Sequence, residues 1–415
     1  MSSMRKVFLR FLPFWLFLIF FKFGGNIHYT ALPALGEMLF PIWLAGLIVA
    51  LESFLQMALD IPAGRLLDRL GYVRLLKWGT FFFMIAALFL IYGLTPATYL
   101  ASVVVSVLGW LFFTPGVNAY LLAHARPGEA GRFFSIRDSS NAFGVILGAG
   151  SIPFVLLLPV PDIGALTLMV LFVAFAFLIF APADKVPEQP LHQTHPYHVR
   201  RQSARGMLEA LRRLNPASTM LLAYNVAGAT FYAVIWFVVP IVIIQQEHTS
   251  GILGLGLAIF DCAIMVLGYV MGTLADKRDK RVLVFFGLLL FGGCGVIVGL
   301  TFTWIFILFG FLAAVGDEMA GVSLWAWLHS LDREHAADGS IAGILTFSED
   351  FGWTIGPAIA GVLFGLVGPA GTIVLGAVPI LLVWAYYYLR VHKHFPYEIV
   401  YDLLPHRPQE RRHKS

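Results

Sequence analysis

The chain has 415 residues, of which 59% are hydrophobic and 13% are charged, and its mean hydropathy is +0.81. Soluble domains carry about 25% charged residues, so this composition excludes a soluble enzyme, a coiled coil and a disordered chain. Because the apolar residues are spread along the whole length, a receptor with a single span is excluded as well. The two cysteines, Cys262 and Cys294, lie inside apolar runs, so no disulfide framework is expected.

Apolar windows separated by polar residues, prolines or glycines predict twelve membrane spans. We place them at 8–34, 41–64, 75–95, 97–123, 134–158, 163–181, 216–244, 252–274, 283–303, 304–329, 340–366 and 369–390. The first span opens with basic residues, as a signal peptide does. It is too long for one and has no small-residue cleavage site, so we interpret it as a retained helix.

The basic residues predict the orientation of the chain. Twenty-seven of the 28 lysines and arginines fall on one side of the membrane, in or next to its connections and at the two ends, and the exception, Lys22, lies about halfway along a span. The positive-inside rule then places both termini and the long central loop in the cytoplasm. We expect the membrane to be the inner membrane of a bacterial cell. The net charge of +4 is thus a topology signal that favours anionic lipid at the cytoplasmic face, and nucleic acid is not implied as a partner.

The central loop divides the chain into two predicted bundles. Residues 1–182 and 216–393 would each form a six-helix bundle, 183–215 a cytoplasmic linker and 394–415 a basic cytoplasmic tail. Residues 203–214 place leucines on one helical face and charges elsewhere, which predicts an interfacial amphipathic helix in the linker. The spacing of His192, His195 and His198 suggests a metal site, but Pro196 interrupts it and no cysteine or carboxylate completes the set, so no metal is predicted.

The two halves repeat each other at one offset, 208 residues. Two sets of residues match residues 208 positions later in the chain: Gly64, Leu66 and Asp68 match Gly272, Leu274 and Asp276, and Gly131, Ile136, Ser140, Phe143, Gly144 and Gly148 match Gly339, Ile344, Ser348, Phe351, Gly352 and Gly356. An even number of spans preserves orientation, so the unit is duplicated in parallel. Such repeats are typical of secondary transporters, which bind their solute between the halves near the midplane.

The connection between the second and third spans carries a recognisable signature. Its residues Gly64, Asp68, Arg69, Gly71 and Arg74 resemble the loop 2–3 motif of the major facilitator superfamily, and Gly272, Asp276 and Lys277 repeat that motif in loop 8–9. The resemblance implies an all-α membrane protein with twelve helices in two bundles. It also implies transport by alternating access and a lipid-facing layer made of helices three, six, nine and twelve.

The resemblance further implies that Asp68 and Arg69 engage the start of the eleventh helix and hold the outward-facing state. Independently of the family, Gly64 and Gly71 permit close approach and a tight turn, and Asp68 can meet the positive end of a helix. The alternative is an ordinary solvated turn whose charges set topology. The chain departs from the motif at Tyr72, Val73 and Asp279.

An ionisable side chain inside a span costs several kcal/mol unless it is paired or hydrated, so each one is a functional candidate. The candidates for solute binding and proton coupling are Lys22, Asn26, Glu52, Asp261, Asp317, Glu318, Glu349 and Asp350. Spans three, six, nine and twelve carry no charge in their apolar cores, which independently matches the outer layer that the family resemblance implies. Adjacent carboxylates repel each other, so at least one member of each acidic pair is expected to hold a proton. Further polar or aromatic cavity residues are expected at Asn118, Tyr224, Asn225, Tyr232, Trp325 and Trp327.

Lys22 and Glu52 lie at about the same depth in neighbouring spans, which suggests an ion pair inside the membrane. The pair could be opened by protonation or by solute, or it could be a static structural pair.

Six carboxyls against one amine predict an electronegative cavity, which favours protons and a cationic or zwitterionic solute. A proton-coupled antiporter is the first hypothesis. The alternative is a proton symporter that imports a small solute whose carboxylate or hydroxyl binds Lys22. The Gly-x-x-x-Gly-Pro pattern of antiporters is incomplete on helix five, where Ala149 follows Gly148, and is complete on helix eleven at Gly352, Gly356 and Pro357, so the direction stays open.

An enzyme is not expected, because the sequence has no Gly-x-Ser-x-Gly, no His-Glu-x-x-His and no phosphate-binding loop. No cofactor is expected, and the chain is expected to act as a monomer.

Overall fold

The computed structural model describes residues 9–124, 130–181, 216–245, 250–331 and 339–390. The helices are α1 Leu12–Glu37, α2 Ile42–Leu70, α3 Tyr72–Ile91, α4 Pro96–His124, α5 Ala130–Val155, α6 Val160–Phe180, α7 Pro216–Gln245, α8 Ser250–Lys277, α9 Lys280–Leu300, α10 Trp304–Leu331 and a last stretch, Gly339–Arg390. That stretch contains two helices, because Gly368 leaves the helical conformation with a φ of 72°. We number its parts α11 (339–367) and α12 (369–390).

The twelve helices coincide with the twelve predicted spans. The largest difference is six residues, at the end of α2, which continues to Leu70 where the prediction stops at 64. Nine helical stretches of the described chain are long and apolar enough to cross a membrane, the last of them containing both α11 and α12. The helices α1 and α5, which carry Lys22 and Arg137, are not among these nine. The protein is a multi-pass membrane protein.

Helix packing repeats every six helices. In the first half α1 packs against α5 and α6, α3 against α4 and α6, and α2 against α4. In the second half α7 packs against α11 and α12, α9 against α10 and α12, and α8 against α10. The prediction of two six-helix bundles related by a parallel repeat is therefore confirmed. The residue boundaries of the bundles stay predictions, since the linker 183–215 with its three histidines and the tail 394–415 lie outside the described residues.

Glycines at equivalent positions bring equivalent helices together. A Cβ on Gly148 of α5 would lie 2.7 Å from the Cβ of Asn26 on α1, and one on Gly356 of α11 would lie 2.5 Å from the Cβ of Ala233 on α7. Small residues four apart allow this close approach of helices in membranes. The glycines that match at offset 208 thus fix the same inner packing in both halves.

The two signature turns are built differently. Gly71 has a φ of 78°, a conformation that favours glycine, and it lets α3 begin directly after α2. The equivalent residue, Asp279, instead caps α9 by accepting a hydrogen bond from the backbone N–H of Arg281 at 2.9 Å. The side chains of Asp68, Arg69 and Asp276 lie outside the described part, so their gating role stays a prediction.

In the described part of the chain, contacts between the halves are found at one face of the membrane. Gly46 of α2 packs against Gly361 of α11, Gly254 of α8 packs against Pro153 of α5, and the Gln245 side-chain amide donates to Glu37 Oε1 at 2.8 Å. These contacts lie at the helix ends remote from the basic connections. We call this the closed face and the other the basic face.

Replacing Gly361 with valine should open the closed face. A Cβ there would lie 2.8 Å from the carbonyl oxygen of Ile42 and 3.1 Å from the Cα of Gly46, and backbone cannot yield as a flexible side chain can. We expect a longer distance between spin labels at the exposed positions Tyr92 and Leu300, measured by double electron–electron resonance after both cysteines are replaced.

Gly251→Val is the matched control, because a Cβ on Gly251 meets open space at the same face. An unchanged distance in a folded Gly361→Val protein would contradict this account of closure.

Candidate functional site

A cavity of about 820 Å³ lies between the two halves. This volume is within the range of small-molecule sites. Eight helices line it, and among the described residues α3, α6, α9 and α12 contribute none. The lining includes Trp325 and Glu349, which are close to the basic ends of α10 and α11, so the cavity extends from mid-membrane toward the basic face.

The structure brings the charged candidates together around this cavity. All eight predicted solute and proton residues line it: Lys22, Asn26, Glu52, Asp261, Asp317, Glu318, Glu349 and Asp350. Of the additional cavity candidates, Tyr224, Asn225, Tyr232 and Trp325 line it as well. In the described part of the chain six carboxyls and one amine therefore share one cavity. When ionised, the carboxyls make its electrostatic potential negative.

Asp317 of α10 is held by two tyrosines of α7. The Tyr224 hydroxyl donates to Oδ1 at 2.5 Å, and the Tyr232 hydroxyl donates to Oδ2 at 2.9 Å. Both carboxylate oxygens thus accept a hydrogen bond from a neutral donor. The two tyrosines lie eight residues apart, which places them on one face of α7.

Glu318 faces a different neighbour. Consecutive residues are separated by about 100° around a helix, so Glu318 is turned away from the tyrosines that hold Asp317. Its Oε1 lies 3.3 Å from the point where a Cβ on Gly268 of α8 would stand. We find no hydrogen-bond partner for its carboxyl among the described residues.

Lys22 of α1 rests on aromatic rings of α4. Its Nζ lies 4.5 Å from the centroid of the Trp110 ring and 5.5 Å from that of Phe113. No carboxylate oxygen of the described residues lies within 4.0 Å of it. The opposite charge that attracts it is that of Asp261 on α8, in the other half of the molecule.

The predicted ion pair between Lys22 and Glu52 is wrong for this structure. Similar depth in the membrane does not fix the rotation of a helix about its axis. Glu52 is turned toward α4, where its Oε1 lies within hydrogen-bond distance of Ser106 Oγ, at 2.9 Å. Lys22 is directed to a different part of α4, at Trp110.

Two predicted cavity residues lie elsewhere. Residues two apart on a helix point in nearly opposite directions, so Trp325 and Trp327 cannot share one face. Trp327 is buried in the second half, with its ring 6.2 Å from that of Tyr387. The amide oxygen of Asn118 accepts a hydrogen bond from Arg137 Nη1 at 2.6 Å, and Asn118 is not among the lining residues.

The sequence analysis missed the part of α4 that contacts the charged residues. Ser102, Ser106, Trp110, Thr114 and Asn118 follow one another at intervals of four, and Trp110 and Thr114 line the cavity. This stripe could have been found by its spacing. It rotates by about 40° at each step, which is why Asn118 at its end faces Arg137. Tyr29, Gln56, Trp236 and Trp353 are further lining residues without a charge to mark them.

Comparison with known families identifies the chain. The family model for the Major Facilitator Superfamily matches residues 7–349. That is well over half of the chain, and the chain belongs to this superfamily. It is therefore a transporter, and not an enzyme.

Its relatives are distant. The Multidrug resistance protein MdtH of Blochmanniella floridana is 30% identical over 106 residues, and MdtH of Escherichia coli O1:K1 / APEC is 32% identical over 108. Each alignment covers 26% of this chain and 26% of the relative, so the chain matches about a quarter of these proteins' length. An uncharacterized MFS-type transporter of Methanocaldococcus jannaschii is 22% identical over 358 residues, which is 84% of this chain and 89% of that one.

Solved structures share the fold. A POT family transporter in complex with a thioalcohol-conjugated peptide is 12% identical, with a TM-score of 0.69 over 92% of this chain and 96% of that one. A POT family transporter in complex with 5-aminolevulinic acid is 11% identical, with a TM-score of 0.63 over 91% and 96%. At these identities the likeness shows the fold alone.

Removing one tyrosine hydroxyl should destabilise the protein through Asp317. In Tyr232→Phe one carboxylate oxygen loses its donor, and we expect the free energy of unfolding to fall by about 1–2 kcal/mol. A donor to a carboxylate stabilises the charged form, so the deficit should be largest at alkaline pH and should shrink as acid protonates Asp317. Thermal unfolding across a pH series measures it.

Tyr29→Phe is the control, because its hydroxyl lines the same cavity and has no hydrogen-bond partner within the described ranges. In an Asp317→Asn background the effect of Tyr232→Phe should be smaller. Equal losses with and without the carboxylate would show that the hydroxyl acts through packing and not through Asp317.

Proposed function

We propose that this member of the major facilitator superfamily is a proton-coupled antiporter that exports a cationic or zwitterionic solute. The observation that carries the proposal is the set of six carboxyls and one amine that line a single cavity between the halves. The halves touch at the closed face, and alternation would expose the cavity to either side in turn.

Asp317 is the group best suited to bind a cation. Two hydroxyls already orient its carboxylate, so little conformational entropy of this side chain is lost when a ligand binds. The rings of Trp325 and Trp236 line the same cavity and offer faces to a cationic group.

Glu318 is the group best suited to exchange a proton with the solute. It adjoins Asp317, its carboxyl has no hydrogen-bond partner in the described chain, and the two negative charges repel each other. A cation at Asp317 stabilises the ionised form of Glu318, and a proton on Glu318 weakens cation binding. Two ligands that oppose each other at one site are exchanged, which is the requirement of antiport.

The similarity to Multidrug resistance protein MdtH agrees with export. It covers about a quarter of the length of those proteins. We further propose that the basic face is cytoplasmic, that it contacts anionic lipid, and that the chain acts as a monomer in the inner membrane of a bacterial cell.

Lys22 supports one alternative, a proton symporter that imports a solute with a carboxylate. The ammonium of Lys22 lines the cavity without a carboxylate in contact, on the half opposite Asp317. A zwitterion could place its carboxylate at Lys22 and its amine at Asp317. The 5-aminolevulinic acid bound by one structural neighbour carries both groups.

A ligand screen on purified protein should identify cations or zwitterions. We expect stabilisation against heat by compounds with an ammonium group, and loss of that stabilisation in Asp317→Asn and Glu318→Gln. Glu37→Gln is the control, because Glu37 lies at the closed face outside the cavity. Stabilisation by anions alone would overturn the proposed solute class.

Proton movement in vesicles then separates the two modes of coupling. In proteoliposomes with a pH indicator inside, inward solute flux should make the lumen more alkaline by antiport and more acidic by symport. Acidification would reject antiport in favour of the alternative. Solute flux without any proton movement would reject both.

A further inference from the structure

Glu52 forms a buried hydrogen-bonded chain in the first half of the molecule. Its side chain on α2 is 1% exposed, and its Oε1 lies 2.9 Å from Ser106 Oγ on α4. The same Ser106 Oγ lies 2.8 Å from the carbonyl oxygen of Val103. The second carboxyl oxygen, Oε2, is buried without a hydrogen-bond partner in the described structure.

The hydrogen atoms available decide which form of Glu52 fits. Ser106 has a single hydroxyl hydrogen, and both Val103 O and Glu52 Oε1 lie within reach of it. If Glu52 is ionised, the Ser106 hydroxyl is the one donor found for its buried carboxylate, and Oε2 has no donor among the described residues. A buried carboxylate so poorly solvated is costly. If Glu52 is protonated, its O–H donates to Ser106 and the Ser106 O–H donates to Val103, so every hydrogen has one acceptor.

Among the described residues no cation contacts Glu52. Tyr29 of α1 and Tyr99 of α4 are its titratable neighbours, and the Tyr99 hydroxyl already donates to the carbonyl of Leu32 at 2.9 Å. His28 of α1 contacts α4 one turn away, where its Nε2 lies 3.5 Å from Ser102 Oγ. Lys22, further along α1, rests on Trp110.

Among the residues that the structure describes, the other helices that pack against α2 add no positive charge near Glu52. In the described chain α11 contributes the acids Glu349 and Asp350 to the cavity, and α3 carries titratable side chains only toward its ends.

From this geometry we infer that Glu52 and Ser106 form a second proton-binding site, in the first half of the molecule, distinct from the acids around Asp317 in the second half. Glu52 binds the proton, and Ser106 is a positioning residue that accepts from the protonated form and donates to the ionised one. Any role of this site in transport rests on the proposed proton coupling, in which each half would then contribute a proton. The binding of the proton itself does not depend on a solute.

Infrared spectroscopy of purified protein in deuterium oxide tests the site without a ligand. A protonated carboxyl gives a carbonyl band that a carboxylate does not. We expect the spectrum at neutral pH to lose one such band in Glu52→Gln. The glutamine amide can donate to Ser106 as the protonated acid does, so this variant should fold. A spectrum unchanged by Glu52→Gln at neutral pH would overturn the inference.

Ser106→Ala tests the positioning role through a pH profile. The ionised form of Glu52 would lose its donor, so the carbonyl band should persist to higher pH than in the unmodified protein. Ser102→Ala is the matched control, because Ser102 is a buried serine on the same helix whose hydroxyl contacts His28 Nε2 at 3.5 Å and the carbonyl of Ala86 at 2.8 Å, and contacts no carboxyl among the described residues. A band with the same pH dependence in both serine variants would reject the role of Ser106.

Asp317→Asn separates this inference from the proposed function. The band lost in Glu52→Gln should remain in Asp317→Asn, because the two sites lie in different halves. If solute-driven proton movement is absent but the Glu52 band titrates as described, the proposed function fails and the second site stands. If proton movement occurs and Glu52→Gln leaves the spectrum unchanged, the second site fails and the proposed function stands.

Discussion

The cost of charge in hydrocarbon organises this molecule. An ionisable side chain in mid-membrane has to be hydrated, hydrogen-bonded or neutral. The structure meets this requirement in three ways around one cavity. Asp317 accepts from two tyrosine hydroxyls, Lys22 rests on the face of Trp110, and Glu52 joins a hydrogen-bonded chain that accommodates its proton. The apolar outer helices are the counterpart of this arrangement, because they surround the polar site and keep it from lipid.

The internal repeat preserves the packing of the helices but not the polar side chains that line the cavity. Gly148 and Gly356 are equivalent and bring equivalent helices together, whereas Lys22 corresponds to Thr230 and Glu318 corresponds to Trp110, the residue on which Lys22 rests. Five of the six cavity acids lie in the second half, and the amine lies in the first. The duplicated scaffold therefore carries an asymmetric charge distribution across its interface. A zwitterion would meet opposite charges on the two sides.

Much of the fold follows from the sequence, because an apolar span long enough to cross a bilayer has few alternatives to a helix. The free-energy cost of charge in lipid also locates the cavity residues, because a charged side chain within an apolar span has to face the protein interior or water. Rotation of a helix about its axis is not determined in this way. Lys22 and Glu52 both face α4 but contact it one helical turn apart, at Trp110 and Ser106, and Trp327 lies on the face of α10 opposite Trp325. Ser106 carries no charge and costs little to bury, so composition gives no sign that it governs the hydrogen bonding of Glu52.

The positions of the polar contacts relative to the two halves suggest how proton binding could be coupled to movement. The bonds from Tyr224 and Tyr232 to Asp317 lie within the second half, and the bond between Ser106 and Glu52 lies within the first. A rocking of one half against the other leaves such bonds intact. The attraction between Lys22 and Asp261 crosses the interface, so its strength changes with the separation of the halves. Protonation within a half can therefore influence alternation only through groups that act across the cavity. Lys22 is a cation that is placed to do so.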